Sequence, residues 1–183
     1  MRKCFVSVLL CASLLAFAAA ACAADNPEFP TVEDPILLTP FGQSQDANAV
    51  KLMAKGHDVT YDLAVLAKDV DWSRFKTMII VLGGSGKGLG AAGLDIPSEV
   101  ARCTELLAAA KEKGVFVMAM HIGGNDRRGP NSQPFLVFAG EANYMVVRAD
   151  GNADGYFTDL CKEKNVPLYT IEKTTELRKL LAK

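Results

Sequence analysis

Four short polar stretches hold most of the residues able to do chemistry. The densest runs from Gly83 to Gly93, GGSGKGLGAAG, with six glycines and one lysine in eleven positions. Glycine lets backbone N–H groups approach a ligand closely, and Lys87 adds a positive charge. The best reading is an anion cradle built on Gly84, Ser85, Lys87 and Gly88. The plain alternative is a flexible loop with a solvated lysine. The second stretch is His121-Ile122-Gly123-Gly124-Asn125-Asp126-Arg127-Arg128-Gly129. Guanidinium forks suit carboxylate or phosphate, and an imidazole can serve as acid, base or hydrogen-bond donor. With no partner nucleophile in view, a satisfied histidine at a strand end is preferred to a catalytic one. In an extended loop adjacent arginines point to opposite sides, so one of the pair is expected in the site, Arg127 being the candidate, and the other in solvent. Gln43 and Ser44 form the third stretch, as pocket lining or a plain helix cap. Asp150-x-Asn152-x-Asp154-Gly155 is the fourth.

Several familiar chemistries do not fit. Gly88-Leu89-Gly90-Ala91-Ala92-Gly93 matches G-x-G-x-x-G, but it lies some residues past its strand and belongs to the third strand rather than the first. Lys87 precedes Gly88 with no Ser or Thr behind it, so this is not a phosphate loop of the Walker kind. The Asp150 stretch matches the first half of a calcium loop, but Cys161 stands where the bidentate Glu belongs and a strand leads in where a helix should. A turn in which Asp154 caps the next helix is the favoured reading. No nucleophile elbow and no zinc spacing occurs. No metal or cofactor is expected.

Alternating elements must place these stretches. Pro35 to Thr39 reads as a strand, Ser44 to Lys55 as a helix stopped by Gly56, and Val59 to Asp62 as a strand near an edge. Leu63 to Val70 reads as a short helix. Met78 to Leu82 and Val115 to Met120 are apolar without alternation, the mark of strands covered on both faces. Between them Asp95, with Pro97 in the first turn, opens the longest helix, with Val100, Cys103, Leu107 and Ala110 facing inward. Helices are expected over Phe135–Ala142, Tyr156–Lys164 and Thr174–Ala182, and strands over Tyr144–Val147 and Pro167–Ile171. Such alternation implies an α/β fold. Its core is a doubly wound, mostly parallel sheet of five to six strands, flavodoxin- or Rossmann-like, ordered 2-1-3-4-5 with strand 6 beside strand 5. All strand-to-helix loops then share one rim, with the switch point between the first and third strands.

The 183 residues are half apolar, and one domain over residues 35–183 is expected, after an extended lead-in at 25–34. Residues 1–24 read as a secretion signal: Arg2 and Lys3, an apolar core, and small residues around Ala24. Cleavage near Ala24 is preferred to lipidation at Cys22, because Ala19 stands where a lipoprotein signal prefers leucine. The expected location is therefore periplasmic or extracellular, with membrane attachment only if Cys22 carries lipid. Without the signal, 18 basic face 21 acidic residues, a net charge of −3 that argues against nucleic acid. Cys103 and Cys161 remain and read as two buried thiols.

Four segments together resemble an uncharacterised family of bacterial exported domains, DUF6305-like. They are Ile36–Thr39 with Gly42-Gln43-Ser44, Gly83–Ser85 with Lys87–Gly93, His121–Gly124 with Arg127–Gly129, and Asp154–Phe157. The resemblance implies a single exported α/β domain and carries no activity. The leading expectation is a binding module for a small anion at a rim formed by Gln43, Ser44, Gly84, Ser85, Lys87, Gly88, His121, Gly123, Gly124, Arg127 and Asp154. An enzyme using His121 as acid or base, and a non-catalytic envelope interaction domain, are the alternatives. Oligomeric state is left open.

Overall fold

The computed structural model describes residues 26–57, 59–61 and 70–182. The expected secretion signal with Cys22, and the expected helix 63–70 except Val70, lie outside them. Six strands form one sheet: β1 (Ile36–Phe41), β2 (Val59–Tyr61), β3 (Thr77–Leu82), β4 (Phe116–His121), β5 (Tyr144–Arg148) and β6 (Leu168–Ile171). All pair in parallel, in the order β2-β1-β3-β4-β5-β6. This is the doubly wound α/β sheet that the alternation implies.

The unbroken apolar strands follow from cover on both faces. Ile36, Leu38, Ile79, Val81, Met118 and Met120 pack beneath α1 (Asp46–Met53) and α6 (Leu177–Leu180). Leu37, Met78, Ile80, Val117, Met145 and Val147 pack beneath α3 (Ile96–Glu112), α4 (Gln133–Leu136) and α5 (Tyr156–Lys164). Each such side chain contributes about 1.5–3 kcal/mol by leaving water. The helix after β1 and the helix after β3 lie on opposite faces, so the switch point falls between those strands, and the loops leaving β1, β3, β4 and β5 share one rim. Asp95 caps α3 by accepting from the Ser98 amide at 2.9 Å, as its position suggests. Both Cys103 and Cys161 are buried free thiols, and burial pushes the Cys161 thiol up to about 11.

Four elements differ from the sequence reading. β1 continues through Pro40 to Phe41 beside β3, and Pro40 is tolerated because β2 pairs only with Ile36 to Leu38 and asks no amide of it on that side. The Pro40 carbonyl instead accepts from Arg102 Nη2 at 2.7 Å. The expected helices at 135–142 and 174–182 each split into an α-helical turn and a tighter 3-10 turn. The glycine stretch is a short helix, α2 (Gly86–Ala91), capped by Ser85, whose Oγ accepts from the Gly88 amide at 3.1 Å.

Two glycines of that stretch, Gly84 and Gly88, serve close contacts within the protein. A Cβ on Gly84 would collide with the Asn131 carbonyl, and one on Gly88 with the Gln43 carbonyl, whereas Gly90 has open space around it. Gly84→Ala is expected to cost about 2–3 kcal/mol, because backbone must shift. Gly90→Ala should stabilise by up to about 1 kcal/mol by stiffening a helical position. Urea unfolding of the two variants checks the contrast; equal effects would mean that the tight approach at Gly84 is not what its glycine serves.

Candidate functional site

The rim is built outward from one buried carboxylate. Glu99, in the first turn of α3, is fully buried. Its Oε1 accepts from the Gly42 amide and from Gln43 Nε2, each at 3.0 Å. Arg102, one turn on, closes the charge with Nε to Oε2 at 2.7 Å and Nη2 to Oε1 at 2.8 Å. These bonds hold Gln43 at φ 59°, in the left-handed region, where a side chain costs about 1–2 kcal/mol. Gln43 then bridges to Gly84, and the Ser85 amide donates to the Gly42 carbonyl at 2.9 Å. The Gly83 amide donates to the Phe41 carbonyl at 3.0 Å, and the Gly84 amide to Ser132 Oγ at 2.9 Å. The switch-point crevice is thereby closed by the chain itself. The Gly84, Ser85 and Gly88 amides of the expected cradle are spent on the fold, and Lys87 stands exposed on α2.

His121, at the end of β4, is also fully buried. Its Nδ1 lies 3.0 Å from the Leu82 carbonyl oxygen and its Nε2 3.2 Å from that of Gly124, and its ring rests on Phe157 at 5.0 Å between centroids. A neutral ring can donate to only one of those carbonyls. Burial nevertheless holds the imidazole below its ordinary value, and Arg128 adds to this; the two carbonyls and Asp46 pull the other way. A ring enclosed in this way joins the ends of β3 and β4 and reaches no ligand.

The adjacent arginines do diverge, but neither is left to solvent. Arg128 grips Asp154 with Nη1 to Oδ1 at 3.0 Å and Nη2 to Oδ2 at 2.8 Å. It also donates to the Gly151 carbonyl and lies over the Tyr156 and Phe157 rings at 4.9 and 5.3 Å. Asp154 is therefore a clasp for Arg128, and Arg128 holds its carboxyl below the usual range. The helix-capping role expected of Asp154 falls mainly to Asn152, whose Oδ1 accepts from the Phe157 amide at 2.8 Å. Asp150 in turn is held by Arg148, at 2.6 and 2.7 Å, which lowers its carboxyl to about 2. Two carboxylates of the half calcium motif thus belong to arginines. Among the described residues no group of three or more His, Cys, Asp or Glu is placed to hold a metal.

Arg127 faces the other way. Its Nε lies 3.3 Å from Asp46 Oδ2, at the start of α1. Beside this pair lies a polar cleft of about 370 Å³, lined by Asp46, Gly123, Asp126, Arg127, Arg148 and Thr174, with Ala49 and Ile122 as its apolar lining. A volume of roughly 300–1,000 Å³ is what small-molecule sites occupy. Of the residues expected in a site, Gly123 and Arg127 line this cleft. A Cβ on Gly123 would collide with Arg127 Cγ and lie 2.5 Å from Asp46 Oδ2, so the glycine lets that pair close over the backbone. Gly124, at φ 62°, lets Arg148 and Asp150 close against it. Ser44 lies beneath, its Oγ accepting from the Asp46 amide at 3.2 Å. Gln43, Gly84, Ser85, Gly88, His121 and Asp154 brace the loops, and Lys87 does not line the cleft. Sequence reasoning missed Asp46, Arg148 and Glu99. The first two stand where β1 gives way to a helix and where β5 ends, positions that the rim argument could have included.

The family described as Domain of unknown function (DUF6305) matches residues 33–183. The chain belongs to this family. No curated protein and no solved structure matches it. All the rim elements described above, from β1 to α6, fall within the matched DUF6305 span.

Two measurements probe this DUF6305 rim. Glu99→Ala leaves the Arg102 charge buried without its carboxylate and should cost about 3–5 kcal/mol in urea unfolding; a loss below about 1 kcal/mol would remove Glu99 from its organising place. For His121 the unfolded chain binds the proton more readily than the folded one, so stability falls as pH drops below about 6.5 and levels off below the folded value. His121→Gln should lack that acid-side step when unfolding midpoints are followed from pH 7.5 to 4.5.

Proposed function

We propose that this chain is an exported, non-catalytic binding domain that holds a small ligand bearing a carboxylate or phosphate in the cleft between Arg127 and Arg148. The observation that carries the reading is the meeting of two guanidinium groups, one after β4 and one ending β5, in a single hollow at the carboxyl rim of a doubly wound sheet. That rim is where sheets of this kind take ligands. Arg127 has the freer fork: its side chain is 35% exposed, and it is held at Nε by one ion pair outside hydrogen-bond geometry. A planar fork of this sort engages carboxylate or phosphate through two parallel bonds. Export rests on the sequence at residues 1–24, and location is periplasmic or extracellular on that ground. Among the described residues no helix is long and apolar enough to cross a membrane.

The enzymatic alternative rests on His121, which is enclosed and does not line the cleft. For a docking module, the large apolar side chains exposed among the described residues are Leu52 and Val137, on helical segments covering opposite faces of the sheet, which make no continuous patch.

Thermal unfolding against a panel of organic acids, sulfate and phosphate tests the reading. At least one anion should raise the midpoint of the wild-type chain, and Arg127→Ala should weaken that anion by about tenfold or more. Lys87→Ala should leave it unchanged. If no anion stabilises the protein, the cleft is not an anion site.

A further inference from the structure

The charges of the cleft do not suit a simple anion. Asp46 and Asp126 line the same hollow as Arg127 and Arg148, two carboxylates against two guanidinium groups. Asp46 Oδ2 is buried and receives no hydrogen bond from the protein; its partner, Arg127 Nε, stands off at 3.3 Å. A buried carboxylate oxygen without a donor is costly, by more than a satisfied one returns. Among its neighbours, Ser44 Oγ accepts from the Asp46 amide and makes no bond to Oδ2, and Gly123 and Gly83 approach it without a side chain. Arg148 is already committed to Asp150 through two bonds, so it supplies field more than open donors.

A purely anionic guest held by Arg127 would lie beside Asp46 and Asp126 and be repelled by both. A purely cationic guest would face the two guanidinium groups. A guest with both signs satisfies each: its acid on the Arg127 fork, its ammonium on the Asp46 carboxylate, whose side chain is 19% exposed. We infer that the cleft takes a zwitterionic amino-carboxylate, a small molecule joining a primary amine to a carboxylate, with Asp46 as the amine acceptor and Arg127 as the acid donor. This inference rests on the reading of the cleft as a ligand site and names the ligand's class.

Paired probes separate the two ideas. Glycine, 4-aminobutyrate and 6-aminohexanoate are titrated calorimetrically against the protein at low ionic strength, each beside its amine-free parent, acetate, butyrate or hexanoate. At least one amino acid should bind about tenfold or more tightly than its parent, the worth of one charge-assisted hydrogen bond. Asp46→Asn should bring that pair to within about twofold of each other while the parent acid binds at least as well as before, since a repelling charge is gone. Asp126→Asn, farther from any buried contact, gives a second reading should Asp46→Asn fail to show a cooperative melt; it should shrink the preference in part. If parent acids bind as tightly as their amino counterparts, the amine acceptor is refuted and the anion site stands. If neither member of any pair binds, the zwitterion is refuted together with the site. Preference that survives intact in a folded Asp46→Asn variant overturns the assignment of Asp46.

Discussion

The rim depends on a single carboxylate with no access to water. Glu99 binds the first backbone amide beyond β1, the side-chain amide of Gln43 and the guanidinium of Arg102. A charge removed from water in this way is tolerated only when nearly every lone pair is engaged, and here the engagement does structural work. It fixes the chain in a left-handed turn at Gln43, where most residues resist going. That turn brings the β1 exit against Gly84 and carries Ser44 and Asp46 over the end of the sheet. Without it, the loop that starts α1 would have no fixed position relative to the loop after β4, and the cleft between them would have no fixed shape.

The same constraint explains where the fold opens. A doubly wound sheet diverges at its switch point, and the crevice between β1 and β3 is the natural place for a guest. In this chain the guest is the protein. Asn131 and Ser132 lie against Gly84, Ser132 Oγ takes its amide, and the Gln43 backbone lies against Gly88. With that crevice filled, a hollow at the same rim sits toward β4 and β5, beside the start of α1 and the turn that precedes α6.

The architecture was legible because burial on both faces leaves an unmistakable trace: Met78 to Leu82 and Val117 to Met120 carry no polar residue, and strand order follows from helices on alternate sides. The rim as a region was legible for the same reason. Roles within it were not. Glycines that admit a ligand and glycines that admit another stretch of the same chain leave identical letters, so from sequence Gly84 and Gly88 suggest a cradle. Glu99 and Arg102 look like an ordinary surface pair one helical turn apart; only the position of Gly42 above them shows that they are inside. Asp46 and Arg148 lacked any motif, because their meeting is made by the sheet and not by sequence neighbours.

Arg127 and Arg128 show how narrowly the difference between scaffold and site is drawn. The two are identical in chemistry and adjacent in sequence. Arg128 turns toward α5, where two aromatic rings and the paired oxygens of Asp154 surround it, and its side chain is only 13% exposed. Stacking and a bidentate acid commit both terminal nitrogens of that fork to the protein. Arg127 turns toward α1 and meets one carboxylate at its Nε alone, so the face of its fork stays open. What separates them is not their own type but the walls each reaches: aromatic on one side, a short acidic helix start on the other. The glycine at 123 completes the arrangement, because any larger residue would drive Arg127 and Asp46 apart. A binding surface is thus obtained here by leaving one of two equivalent cations incompletely satisfied while the other locks the loop that carries both.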